Sequence, residues 1–94
     1  MKIKWTEEAK ADLRRIINRI RHENKEAAHG MAEQIRGSVR PAAHFPEGYK
    51  EGAMPGTREV VAHPNYKVVY VIEPGHIEVI AVVHTRQQWP PIAD

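Results

Sequence analysis

The sequence predicts an α+β domain in which a pair of helices packs on one face of a sheet. Three observations carry that expectation. Apolar residues recur at helical spacing from Ala9 to Val39. Two apolar runs, Val68–Ile72 and Val79–Val83, follow them and are separated by a Pro-Gly turn signal. A short charged–apolar alternation, Lys2–Trp5, precedes the first helix. The expected order is an N-terminal strand, an antiparallel helical hairpin, and a three-stranded antiparallel segment that completes one sheet. Residues 1–94 read as a single domain, since domains run from ~50 to 250 residues.

Lys2–Trp5 places Ile3 and Trp5 on one side of a period-two strand. Thr6 suits a helix N-cap, with Glu7 and Glu8 in the first turn where the helix dipole favours acids. Leu13, Ile16, Ile17 and Ile20 then form one apolar stripe, and the arginines fall mainly off it. Asn24 caps a second helix expected from about Lys25 to Val39. Its stripe is Ala28, Met31, Ile35 and Val39, helped by Ala27 and Ala32. Gly30 costs that helix about 1 kcal/mol against alanine, which a close helix–helix contact would explain. The short connection favours an antiparallel hairpin.

Arg40-Pro41 is expected to end the helix, because the residue before proline avoids the α region. The proline- and glycine-rich stretch 41–56 reads as a loop with one short strand or turn near Tyr49. Strands are expected at Thr57–Ala62, Tyr66–Ile72 and Ile77–His84. Glu73-Pro74-Gly75 suits a type II turn between the last two. The second and third of these strands are apolar on both faces, which places them inside a sheet covered on both sides. The hairpin supplies one cover, and the loop, the tail or a second protein the other. The tail Gln87–Asp94, with Trp89-Pro90-Pro91, reads as irregular.

Composition narrows the function. The 94 residues include no cysteine, so a disulfide framework, a thiolate zinc site and a cysteine nucleophile are all excluded. The cytoplasm is the expected compartment. The opening residues lead straight into a charged helix, and no apolar run suits a signal core or a membrane span. Lys+Arg is 14 against 12 Asp+Glu, a net charge of +2. That small excess argues against binding nucleic acid by bulk positive potential. A chain this short has a thin core, so a partner that covers leftover apolar surface is expected. A disordered segment folding onto the domain would suit that role.

Four segments resemble one family in order along nearly the whole chain: Ile3-Lys4-Trp5-Thr6 followed by Ala9, Asp12 and Leu13; Pro55-Gly56-Thr57-Arg58-Glu59-Val60; Tyr66-Lys67-Val68-Val69-Tyr70; and Val79–Val83 continuing through His84-Thr85-Arg86-Gln87-Gln88-Trp89-Pro90. They are similar to the RelE/ParE superfamily of toxins from type II toxin–antitoxin systems. The closing segment resembles the ParE branch more than the lysine-rich RelE nucleases. The resemblance implies a RelE/ParE-like strand–helix–helix–sheet fold, a cognate antitoxin partner and a bacterial cytoplasmic setting. It implies either a toxin that poisons DNA gyrase or, alternatively, a ribosome-dependent mRNA endoribonuclease with the ribosome and mRNA as partners. An inactive member retained as a partner-binding domain is a third option. No cofactor and no membrane partner are expected.

RNA cleavage needs a base for the 2′-hydroxyl, an acid for the leaving oxygen and a cation for the developing charge. Arg58, His84 and Arg86 are the first candidates, with His63 and Tyr66 behind them. His84 and Arg86 share strand parity with Val82 and Ile80, and His63 and Tyr66 flank a strand connection. By resemblance, Arg58 and the His84/Arg86 region match positions near the active face of nuclease members. Those members carry more basic residues before this strand, whereas here Lys50 is opposed by Glu47 and Glu51. The structural alternatives are an ion-pairing or hydrogen-bonding Arg58, a satisfied strand-end His84 and turn chemistry at His63. A binding-type toxin needs only a surface. Arg14, Arg15 and Arg19 of the first helix, and Trp89 of the tail, are the partner-binding candidates, and a solvated helix face is the alternative for the arginines. No histidine spacing suits a metal, so no metal site is expected.

Overall fold

The computed structural model describes residues 1–91. Strand β1 spans Lys2–Trp5, helix α1 Glu7–Glu23, helix α2 Lys25–Ser38 and the short helix α3 Arg40–His44. A single 3-10 turn, Pro46–Gly48, leads to β2 at Lys50–Glu51. Strands β3 (Thr57–His63), β4 (Tyr66–Glu73) and β5 (His76–His84) follow. The five strands form one sheet in the order β1-β5-β4-β3-β2. β2 through β5 pair antiparallel, whereas β1 joins β5 in parallel, Lys2 opposite His76 and Trp5 opposite Val79. The α+β architecture is as expected. No helix among the described residues is long and apolar enough to cross a membrane.

Both helix caps form as the sequence indicates. Thr6 Oγ1 accepts the Ala9 N–H at 3.1 Å, and Asn24 Oδ1 accepts the Ala27 N–H at 3.0 Å. Ala9, Leu13 and Ile16 of α1 and Ala28, Ala32 and Ile35 of α2 are buried. Ala9, Leu13, Ile16 and Ile35 meet Val60, Ala62, Tyr66, Val68, Tyr70, Ile77, Val79 and Val82 of the sheet in the main core. A second cluster lies on the opposite face, where Val69, Ala81 and Val83 pack with Ile80 and Trp89. The tail thus supplies part of the second cover that the two-faced strands require. Residues 92–94 of the expected irregular tail lie outside the described residues.

Four local expectations need correction. Gly30 is exposed, and a Cβ there would meet nothing within 4 Å, so no close helix contact explains it. Ala27 is also exposed and does not join the α2 stripe. Arg40-Pro41 interrupts the helix without ending helical structure. Pro41 falls in the first turn of α3, where its missing N–H has no intrahelical acceptor to lose. The stretch 41–56 therefore holds α3, the 3-10 turn and β2. Finally, Ile80 and Val82 do not share a face. Val69 pairs with Ala81 but Tyr70 with Val79, which leaves Ile80 as the extra residue of a bulge. The bulge reverses side-chain parity. Ile77 and Val79 face the helices before it, and Val82 faces them after it.

The turns are those the composition favours. Gly75 has φ of +79°, the left-handed conformation that the second central position of a type II turn requires. At Gly52 a Cβ would collide with the Thr57 hydroxyl, so only glycine permits this approach of β2 to β3.

Candidate functional site

The adjacent ends of β3, β4 and β5 gather three rings. Tyr66 pairs directly with His84 across the sheet and with His63 across the hairpin. The Tyr66 and His84 rings meet edge to face at 5.5 Å between centroids. His63 and Tyr66 lie 6.1 Å apart with their planes tilted by 40°. Both imidazoles are turned toward the backbone at one nitrogen. His63 Nδ1 accepts the Asn65 N–H at 3.0 Å, and His84 Nδ1 accepts the Arg86 N–H at 3.1 Å. These bonds fix the ring orientations and leave Nε2 of each as the outward nitrogen.

The other two catalytic candidates lie elsewhere. Arg86 follows the end of β5 in an exposed turn, so it does not continue the His84 strand face. Arg58 shares the helix-facing side of the sheet but pairs with Tyr70, four positions along β4 from Tyr66, or about 13 Å. Its guanidinium donates to the carbonyls of Tyr49 at 2.7 Å and Glu47 at 3.1 Å. Beside it, the buried Tyr70 hydroxyl donates to Pro46 O, and Tyr49 packs edge to face on the Tyr70 ring. Arg58 and Tyr70 together hold the 3-10 turn against the sheet. Burial raises the Tyr70 phenol above its ordinary pKa, against a lowering by the Arg58 charge.

Helix α1 divides its arginines between two concavities. Arg15 and Arg19 line a cavity of about 240 Å³ with Asp12, Tyr66, His84 and Gln87. Arg14 and Arg21 line an open groove of about 1000 Å³ on the opposite flank. At 3.6 residues per turn, Arg14 and Arg15 project about 100° apart, so neighbours in sequence serve different surfaces. The helix arginines therefore do not form one docking face. Trp89, the remaining partner-binding candidate, is half-buried and packs on the second apolar cluster.

Two contributors escaped the sequence reading. Asp12 stands between helix and sheet: its Oδ2 accepts the Val82 N–H at 3.0 Å, and its Oδ1 pairs with Arg15. Gln87 lines the cavity, and its Oε1 accepts the His84 N–H at 3.4 Å. Both act on the edge of β5 that β1 leaves uncovered after Trp5. That role depends on strand order, which spacing alone does not reveal. Among the described residues no three of His, Asp and Glu gather as a metal site.

The family model described as the ParE toxin of type II toxin–antitoxin systems, parDE, matches residues 3–89. The chain belongs to the ParE toxin family. Its relatives include a protein of Sinorhizobium fredii (strain NBRC 101917 / NGR234) named as toxin Y4kP, 32% identical over 92 residues, which span 97% of this chain and 95% of that protein. The ParE fold is equally plain in three dimensions. A chain of the chromosomal ParDE toxin–antitoxin system from P. aeruginosa superposes with a TM-score of 0.78 at 22% identity, covering 89% of this chain and 95% of that one. A YoeB/ParE toxin from Agrobacterium tumefaciens gives 0.63 at 21% identity, covering 89% and 98%. The protein is thus a ParE-like toxin of a type II system, and membership of that class implies a cognate antitoxin.

Proposed function

We infer that this ParE-family chain arrests growth in the bacterial cytoplasm by binding DNA gyrase and trapping its cleaved-DNA complex, and that its antitoxin neutralises it. The match to the ParE family across residues 3–89 carries this reading. The disposition of Arg58 supports it. The guanidinium is engaged by two loop carbonyls, about 13 Å along β4 from the level of the His84–Tyr66 pair. The one candidate cation inside the sheet is therefore not beside the candidate acid–base group. A gyrase-binding toxin needs a surface and no such assembly.

The test is a reaction of the purified chain with gyrase, supercoiled plasmid and ATP, followed by denaturation. Accumulation of linear, protein-linked DNA is expected, and added antitoxin should abolish it. Failure to accumulate cleaved DNA, with messenger cut on ribosomes instead, would overturn the gyrase reading.

One observation favours a second reading, a RelE-like ribosome-dependent endoribonuclease. Arg15 and Arg19 share the small cavity with His84 and Tyr66, so a phosphate there would meet cations and an imidazole together.

A further inference from the structure

In the small cavity between α1 and the end of β5, the polar side-chain groups left free can all donate a hydrogen bond. Arg15 and Arg19 stand one turn apart on α1, so both reach it. Asp12 supplies the one carboxylate among the described residues, and both its oxygens are engaged, by the Val82 N–H and by Arg15. Two guanidinium groups against one carboxylate leave an excess of one positive charge. Arg19 has no ion-pair partner among the described residues. Gln87 uses its Oε1 to accept the His84 N–H, which leaves its amide NH2 free. His84 Nδ1 accepts the Arg86 N–H, so the neutral ring carries its proton on Nε2. Ile16 and Val82 add apolar surface. At about 240 Å³ the cavity is smaller than the roughly 300–1,000 Å³ that encloses a whole small ligand, so it fits one group of a larger molecule.

We propose that this cavity holds one backbone phosphate of the DNA that gyrase carries. The two arginines supply charge-assisted bonds to it, and Gln87 and His84 supply neutral ones. The site holds the phosphate without cutting beside it. With Nδ1 engaged and Nε2 protonated, the neutral His84 has no lone pair to take a proton from a 2′-hydroxyl. A net charge of +2 is too small to hold DNA unaided, so another protein has to present the strand. This placement rests on the gyrase reading above and adds to it a direct contact with the trapped strand. Arg14 and Arg21, on the opposite flank of α1, take no part in that contact.

Two measurements on the full chain test it, comparing wild type with Arg19→Glu and with Arg14→Glu as the control. Arg14 and Arg19 are exposed, and circular dichroism checks that each variant keeps its fold. In the first, inorganic phosphate and a thymidine dinucleotide, whose single anion is a phosphodiester, are titrated into the nitrogen-15-labelled chain. Both should shift the Gln87 amide signals saturably at millimolar concentrations. The shift should be lost in Arg19→Glu and kept in Arg14→Glu. Phosphate that binds while the dinucleotide does not would overturn the strand contact, and binding of neither would overturn the site. A uridine dinucleotide should stay intact and bind within about twofold of the thymidine one, and a strong preference for it would make the strand RNA and overturn the assignment to DNA. In the second, binding of the chain is measured to gyrase alone and to gyrase carrying DNA. Arg19→Glu should weaken binding to the gyrase–DNA complex by more than about tenfold and reduce its salt dependence by about one phosphate contact. It should change binding to gyrase alone by less than about twofold. His84→Ala, which removes one neutral donor, should weaken the complex by only about twofold. An equal loss with and without DNA in Arg19→Glu would set Arg19 against gyrase itself and overturn the proposal. A wild-type chain that binds gyrase in neither form would remove the gyrase reading, and this partner with it, whatever the dinucleotide shows.

Discussion

The carboxylate of Asp12 on α1 accepts the backbone N–H of Val82 on β5 at 3.0 Å, a bond that spans seventy positions of chain. Val82 is buried, and its N–H points to the side of β5 that β1 no longer covers. Removing the acceptor leaves a buried donor unpaired, which costs about 1–3 kcal/mol. Asp12→Ala should lower Tm by about 4–8 °C per kcal/mol lost in a domain of this size. Asp12→Asn keeps an acceptor oxygen and should lose less than half as much. Thermal unfolding followed by circular dichroism checks both, and equal losses would show that the Arg15 ion pair matters more than the Val82 bond.

Arg58→Ala removes two hydrogen bonds to loop carbonyls and the charge beside Tyr70. The expected loss is about 2–3 kcal/mol, since bonds from charged donors contribute about 1.5–3 kcal/mol each and water replaces part of them. Urea unfolding measures it. Under the gyrase reading, the folded fraction of this variant should retain full gyrase poisoning at low temperature. A folded but inactive Arg58→Ala protein would point to a direct role for the guanidinium.

His84→Ala and Arg86→Ala, singly or together, should leave growth arrest within about twofold of wild type if gyrase binding is the activity, because neither residue then has a chemical step to perform. A loss of several orders of magnitude in the double variant, with intact fold, would favour the nuclease alternative.

The raised pKa of Tyr70 makes the fold sensitive to alkali. The folded state favours the neutral phenol, so this contribution is fully present below the unfolded value of about 10 and is lost as pH rises through the higher folded value. Stability should therefore fall above about pH 10 more steeply than in Tyr70→Phe, which has no phenol to ionise. Tyrosinate absorbance during alkaline titration should show one of the three tyrosines ionising late, together with unfolding.

Much of this fold was legible in the residues, and the reasons differ by element. Thr6 and Asn24 announce their helices through local chemistry, and Pro74-Gly75 announces its turn. The bulge at Ile80 leaves no trace, because β5 is apolar on both faces and no alternation registers the change of parity. Helix α3 was hidden because Pro41 reads as a stop when it follows a helix and as a start when it opens one. Among site residues, the Tyr66–His84 contact follows from hairpin pairing, whereas the partners of Arg58 lie in a turn whose position depends on Tyr70. The groove had a sequence signature that reading the arginines as a block obscured. Lys10, Arg14 and Arg21 stand at i, i+4 and i+11, one side of a helix, and Arg15 and Arg19 on another.

The parallel pairing of β1 with β5 has a consequence during synthesis. Lys2 leaves the ribosome well before its partner, His76, which follows seventy-four positions later. Closing so long a loop is slow, and the sheet edge cannot form before β5 exists. Until then Trp5 has no strand to lie on, and Thr6 cannot donate to Val79 O to set the start of α1. A nascent chain therefore lacks the completed groove until β5 has been made. Any partner that reads the β1 edge of the sheet would meet its target as a finished molecule, after translation rather than along with it.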